Sequence, residues 1–316
     1  MILASARGQA LLALLALGIG SLPFWAPAYY VGFAATALVA AAFALSLQLL
    51  VGGAGMISLG HAAFFGVGAY AVWGLASEGA APSILLTLPA AAAAGGVAAL
   101  LVGALALRTR GFFFLMTTLA FGQMLFFLFH DTPLGGGADG VFITRPALGA
   151  WGWVYEVPRR ARPSVALWID LGLLTAMYVK LVWLMRTGFG RALAGICANE
   201  PRMRALGMPT HRYKLAAFVL AGALAGVAGH MWAMTEAFVS PDLRGWHRSA
   251  LGLLAIVLGG AGALHGPILG ALAFAVIGEA AQLVTERQHL AEGVVILAVV
   301  LLLPRGLAGL GWRRGR

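Results

Sequence analysis

The sequence predicts an all-α protein that crosses a membrane many times. Three observations carry this. Of 316 residues, 61% are hydrophobic and only 10% are charged, more apolar surface than a water-soluble chain of this length can hide. The apolar residues fall into about ten runs of helix-spanning length. The basic residues gather in a few connecting segments and at the C-terminal end, as the bias of Lys and Arg toward the cytoplasmic side requires. The net charge of +10 is then a matter of topology. No aromatic residues interleave with the basic clusters, so nucleic acid is not an expected partner. A single cysteine, Cys197, excludes a disulfide framework, and the seven histidines show no metal-ligand spacing. The only lysines, Lys180 and Lys214, follow no glycine-rich loop. The chain therefore has no P-loop of its own, and neither cofactor nor metal is expected.

The predicted spans are 8–26, 31–51, 62–76, 83–107, 111–130, 165–185, 214–234, 249–264, 267–285 and 290–304. The first is read as an uncleaved helix with the N-terminus inside. After the second comes Val51-Gly52-Gly53-Ala54-Gly55, leading to Ser58-Leu59-Gly60-His61. So many glycines weaken a helix, and the backbone is expected to break there. A bilayer tolerates such a break only inside protein or along a watery path. The same four residues recur as Gly259-Gly260-Ala261-Gly262, again followed by a histidine, His265, which hints at an internal duplication. Breaks are thus expected near 52–60 and 259–266. Arg108 and Arg110 end the fourth span and belong inside. The loop from 131 to 164 carries four basic residues and three acids and is placed outside, as is the one from 236 to 247. With Arg305, Arg313, Arg314 and Arg316 in the tail, both termini are cytoplasmic. Within the spans, Gln48, His61, Gln123 and His230 are candidates to line a path, because a polar group at the midplane is costly unless it faces the interior. Glu279 is read as a lone intramembrane acid. A proton-coupled carrier would show several acids facing one another.

The most informative interruption is 186–214, a cytoplasmic segment within one transmembrane domain spanning 1–316. It has six basic residues to one acid, Glu200. Asn199-Glu200-Pro201 reads as a helix start, Gly207 as its stop, and Pro209 blocks continuation. Leu193, Ile196 and Cys197 share one face, as do Met203 and Leu206. Two short amphipathic helices need something to receive their apolar sides. They either lie on lipid headgroups, held by the arginines, or dock into a groove on a soluble partner.

Several motifs resemble one family. Ser58 through Tyr70, Arg110-Gly111-Phe112-Phe113-Phe114 leading to Thr118 through Gln123, and Gly136-Gly137-Ala138-Asp139-Gly140 are similar to signatures of the LivM-type permease subunit of branched-chain amino acid ABC transporters. So are Phe189-Gly190-Arg191-Ala192-Leu193, Asn199-Glu200-Pro201, Ala205-Leu206-Gly207, Arg212 through Phe218, and Leu258 through Gly270. The resemblance implies an ABC importer of the bacterial inner membrane. Its parts would be this subunit, a second permease subunit, two ABC ATPase subunits and a periplasmic substrate-binding protein. ATP hydrolysis would occur on the partners. It favours the soluble-partner reading of 186–214, with Arg191, Asn199, Glu200, Arg204 and Gly207 as the coupling residues and Asp139 at the binding-protein contact. The general importer pattern, Glu-Ala-Ala with glycine six residues after the acid, is not met: Pro201 follows Glu200 and Gly207 is seven on. The family also takes in urea and short-amide permeases. A stand-alone secondary transporter is the alternative of another class.

Overall fold

The computed structural model describes residues 6–76, 82–133, 135–145, 157–284, 293–294, 297 and 306–311. Helix α1 covers Ala6–Ser21, and α2 covers Ala28–Gln48 and runs on through a π-turn, Leu49–Ala54. After an irregular stretch come α3 (His61–Ala76), α4 (Ile84–Ala106) and α5 (Phe112–His130). Then follow α6 (Arg162–Arg186), the short α7 (Gly188–Ala198) and α8 (Glu200–Ala205), and α9 (Thr210–Glu236). Last come α10 (Trp246–Gly259) and α11 (Gly266–Val284). The only sheet among the described residues is a two-residue antiparallel pair, β1 (Val141–Phe142) with β2 (Phe238–Val239). Nine of the ten expected spans correspond to helices. The tenth, 290–304, and the arginines of the tail lie almost wholly outside the described residues.

Five of these segments are long and apolar enough to cross a membrane: Ala28–Ala54, Ile84–Ala106, Phe112–His130, Arg162–Arg186 and Thr210–Glu236. The helix after the first glycine break and the two on either side of the second are shorter. Helix α10, at 14 residues, is about 21 Å long, less than the roughly 30 Å of bilayer hydrocarbon. It and α11 pack against each other across the second break.

Helix α9 is the axis of the bundle. At 27 residues it is about 40 Å long, and it packs on α2, α3, α4 and α6. Small residues let the backbones meet, since apolar side chains gain little by leaving lipid for one another. A Cβ at Gly229 would stand 2.0 Å from the carbonyl oxygen of Phe65 in α3, and one at Gly226 would stand 2.2 Å from that of Ala91 in α4. Around this seam the large side chains Phe64, Phe65, Leu38 and Phe218 are fully buried.

Both glycine breaks are present. The first ends at Gly55, whose φ of +68° is closed to most side chains, and the chain stays irregular until His61 starts α3. The second runs from Gly260 to His265. They are joined: the Gln48 amide donates to the Ala261 carbonyl at 2.7 Å.

Candidate functional site: the coupling segment and the polar interior

The segment 186–214 folds as two short helices. Thr187 precedes α7, which buries Ala192, Leu193 and Ile196. That face rests on the chain itself, on α6, α9 and the π-turn after α2. The expectation that both short helices need an outside receiver is corrected for α7: the chain's own glycine break leaves room for it. Cys197 Sγ would stand 3.0 Å from a Cβ at Gly55. The second helix is the more open of the two. Met203 turns back onto Gly195 of α7, while Leu206 is 70% exposed.

Helix α8 is held by a cap and by polar contacts to the start of α9. The Asn199 side chain caps it, accepting from the Arg202 amide at 3.0 Å, which satisfies an orphan donor of the first turn. Gly207 ends it with φ of +80°. Glu200 accepts from both Arg204, one turn on, and Lys214 in α9. Arg204 Nε donates to Thr210 Oγ1 at 3.1 Å. Burial pushes the Glu200 carboxyl up, but the hydrogen bonds and charges of Lys214 and Arg204 outweigh it, and the group sits below its usual value. Arg191 is exposed and donates to the Arg186 carbonyl at 3.4 Å. The acid of the segment therefore clamps α8 to α9 one turn from its start.

Beside α8 lies a cleft of about 840 Å³. Its walls are Gly55–Ile57 of the first break, Arg108–Gly111 between α4 and α5, and the α7–α8 corner with Arg204, His211 and Lys214. The two basic segments assigned to one side from charge alone thus meet at one end of the bundle.

The opposite end of α9 carries a different set. β2 follows it and pairs with β1, and Arg145 donates to the Thr235 carbonyl at 2.7 Å. Asp139 sits exposed on a tight turn between Gly136 and Gly140. Arg244, which sequence reasoning passed over, is the largest fully buried side chain, 1% exposed, and lies over the rings of Tyr70 and Phe129 at 3.7 and 3.4 Å. None of its three nitrogens has a hydrogen-bond partner among the described residues. Burial lowers its pKa to about 10, so it is still charged at neutral pH, and the ring faces are what offset its desolvation.

Three of the four expected path residues are hydrogen-bonded within the chain. His61 Nε2 meets Ser46 Oγ at 2.9 Å, and His230 Nε2 meets Thr87 Oγ1 at 2.9 Å; both rings are fully buried. Gln48 is the strut between the breaks. None of these three lines the cleft beside α8. Gln123, on α5, is half-buried. The expectation that Glu279 is the lone intramembrane acid is corrected by a second acid within a span. Asp170 in α6 is fully buried and accepts from Thr235 Oγ1 at 2.7 Å, while Glu279 accepts from Tyr29 at 2.7 Å. Asp170 stands mid-run among leucines, where no motif announces it. Among the described residues no three His, Cys, Asp or Glu side chains are placed to hold a metal ion.

Comparison with known proteins settles the family. The family model described as "Branched-chain amino acid transport system / permease component" matches residues 29–304. The chain belongs to this family. It is 30% identical over 318 residues to the high-affinity branched-chain amino acid transport system permease protein LivM of Escherichia coli K12, covering 94% of this chain and 74% of that protein. It is 28% identical over 199 residues to LivH of the same strain, covering 60% of this chain and 62% of that one. A shorter stretch of 133 residues is 32% identical to the autoinducer 2 import system permease protein LsrC of Escherichia coli, covering 39% of each. No solved structure matches significantly. The chain is a membrane-embedded transport permease, all-helical as its sequence predicts.

Proposed function

We propose that this permease is one of two membrane subunits of an ATP-driven importer of branched-chain or similar hydrophobic amino acids in a bacterial inner membrane. The second permease completes the path, two ATPase subunits dock under the 186–214 end, and a substrate-binding protein docks at the Asp139 end. Both termini are cytoplasmic in this reading. Similarity to LivM along 94% of the chain supports the substrate class.

The observation that carries the mechanism is the clamped helix α8. Coupling needs a short rigid element that a partner can push and that passes its movement on. Helix α8 presents Leu206 outward while Glu200 ties it to Lys214 at the foot of α9. A displacement of α8 is therefore a displacement of the bundle's longest axis. Arg191, Asn199, Arg204 and Gly207 shape or surround this lever. Selectivity rests mainly with the binding protein, and Gln123 on the lightly covered α5 is the path residue best placed to face the second permease. Gln48, His61 and His230 act as struts holding the broken helices.

The test is purification in mild detergent from native membranes, with identification of what accompanies the chain. Two P-loop ATPases and a second glycine-rich permease are expected, and the cognate binding protein should take leucine in preference to urea. A chain recovered alone or only with itself would overturn the importer reading. Preference for urea would overturn the substrate class alone.

A further inference from the structure

At the end of α9 away from the coupling segment lies a second cavity, about 470 Å³ in volume, between the start of α2, the start of α6 and the end of α9. Volumes of this order suit small organic ligands. Its apolar wall includes Phe33 and Ala166, and its charged groups are Arg145, Arg162 and Glu236. Opposite charges in one small cavity would be expected to close on each other. Here they do not: among the described residues, none of the three takes part in an ion pair. Each is instead held back by its own anchor. Arg145 donates to the Thr235 carbonyl at 2.7 Å, Arg162 donates to the Val157 carbonyl at 3.3 Å, and Glu236 accepts from Thr36 at 3.0 Å. Arg145 Nε is buried with no partner among the described residues. The charges do sense one another. Burial and Arg162 push the Arg145 guanidinium down, and Glu236 pulls it back up.

We propose that this cavity binds a primary-ammonium zwitterion, with the anionic oxygens on Arg145 and Arg162 and the ammonium on Glu236. Arginines fixed by their anchors match an oxyanion with little further loss of side-chain freedom. The carboxylate oxygen of Glu236 that Thr36 leaves open is the acceptor for an ammonium. Two sources share this chemistry: a free α-amino acid in transit, and the headgroup of phosphatidylethanolamine at the rim of the bilayer. The amino-acid source rests on the importer reading above, whereas the binding itself does not.

The experiment uses the full chain with whatever co-purifies, in dodecyl maltoside. Leucine, 4-methylpentanoate (no ammonium) and leucine methyl ester (no carboxylate) are titrated against thermal unfolding and ligand-observed NMR. Retained phosphatidylethanolamine and phosphatidylglycerol are compared by native mass spectrometry. A saturable effect of leucine that neither single-charge analogue reproduces supports the site with an amino-acid source. Selective retention of phosphatidylethanolamine without a leucine effect supports it with a lipid source. Glu236→Gln keeps an oxygen for Thr36, so the fold should survive, and it should weaken either ligand about tenfold or more. Absence of both ligands from the wild-type protein overturns the site, as does unchanged binding by both Glu236→Gln and Arg145→Gln. Because the ATPases are identified in the same preparation, failure of this site and failure of the importer reading are separately visible.

Discussion

Replacing Glu200 by Gln tests whether α8 works as a lever. A six-residue helix is about 9 Å long, far too short to persist without tertiary contacts. Its anchorage to α9 runs through Glu200, which is 20% exposed, to Lys214, which is 18% exposed. Fully exposed ion pairs contribute less than about 1 kcal/mol, while hydrogen bonds to a charged group contribute about 1.5–3 kcal/mol. Arg204 is 42% exposed and adds little. A loss of roughly 1.5–2 kcal/mol is then expected on neutralising Glu200, which is about a ten- to thirtyfold drop in the docked over the undocked helix. The assay is ATP hydrolysis by the reconstituted importer, stimulated by its loaded binding protein. Stimulation should fall by about tenfold, while the melting temperature and the recovery of the complex stay near wild type, because the bulk of the bundle does not depend on this contact. The sign of the pH effect follows from the lowered pKa of Glu200. Its contribution is complete above the unfolded value, about 4.3, and is lost as pH falls through the folded value. Coupling should therefore be indifferent to this group from pH 5 to 8. Full stimulation in Glu200→Gln, with Glu200→Lys behaving the same way, would show that α8 only rests on lipid.

Two further perturbations separate packing from strut. Gly229→Ala places a methyl 2.0 Å from the Phe65 carbonyl, a backbone clash expected to cost at least about 1–3 kcal/mol. It should lower the detergent melting temperature or the yield, whereas Gly18→Ala, with nothing within 4 Å of its Cβ, should be neutral or gain up to about 1 kcal/mol. Equal melting temperatures for the two would refute close packing of α9 on α3. Gln48→Met removes the donor to the half-buried Ala261 carbonyl, a lost hydrogen bond of about 0.5–1.5 kcal/mol; amide exchange across 260–265 should quicken while that in α4 is unchanged.

The sequence made the helices legible because each span writes its length in apolar residues, and it made the breaks legible because glycine and histidine interrupt them. Helix α8 could be bounded to the residue, since Asn199, Pro201 and Gly207 are local signals whose physics needs no distant partner. What stayed hidden depends on contacts between distant segments. The ion pair of Glu200 with Lys214 crosses from one helix to the next, and the face of α7 was read as unpartnered because the receiving surface is a π-turn more than a hundred residues earlier. Gln48, His61 and His230 are candidate path residues, and polar groups in apolar runs also demand partners. They found those partners as Ala261, Ser46 and Thr87. Arg244 and Asp170 left no trace, because burial of a lone charge is a property of the assembled bundle.

The same contacts explain how distant parts of this permease can move together. Helix α9 carries Lys214 one turn from its start and Glu236 at its end, so the Glu200–Lys214 clamp and the charged cavity share one rigid rod. Along that rod the packing against α3 and α4 is backbone against backbone at Gly226 and Gly229. Such a seam cannot deform by rotating side chains, because there are none to rotate; it either slides or stays. The glycine breaks lie outside this seam and are tied to each other through Gln48 and Ala261. Rearrangement is therefore cheaper at the breaks than within the α3–α4–α9 unit. A push on α8 should move that unit as one body, and the strain should appear at 55–60 and 260–265, where the backbone is irregular.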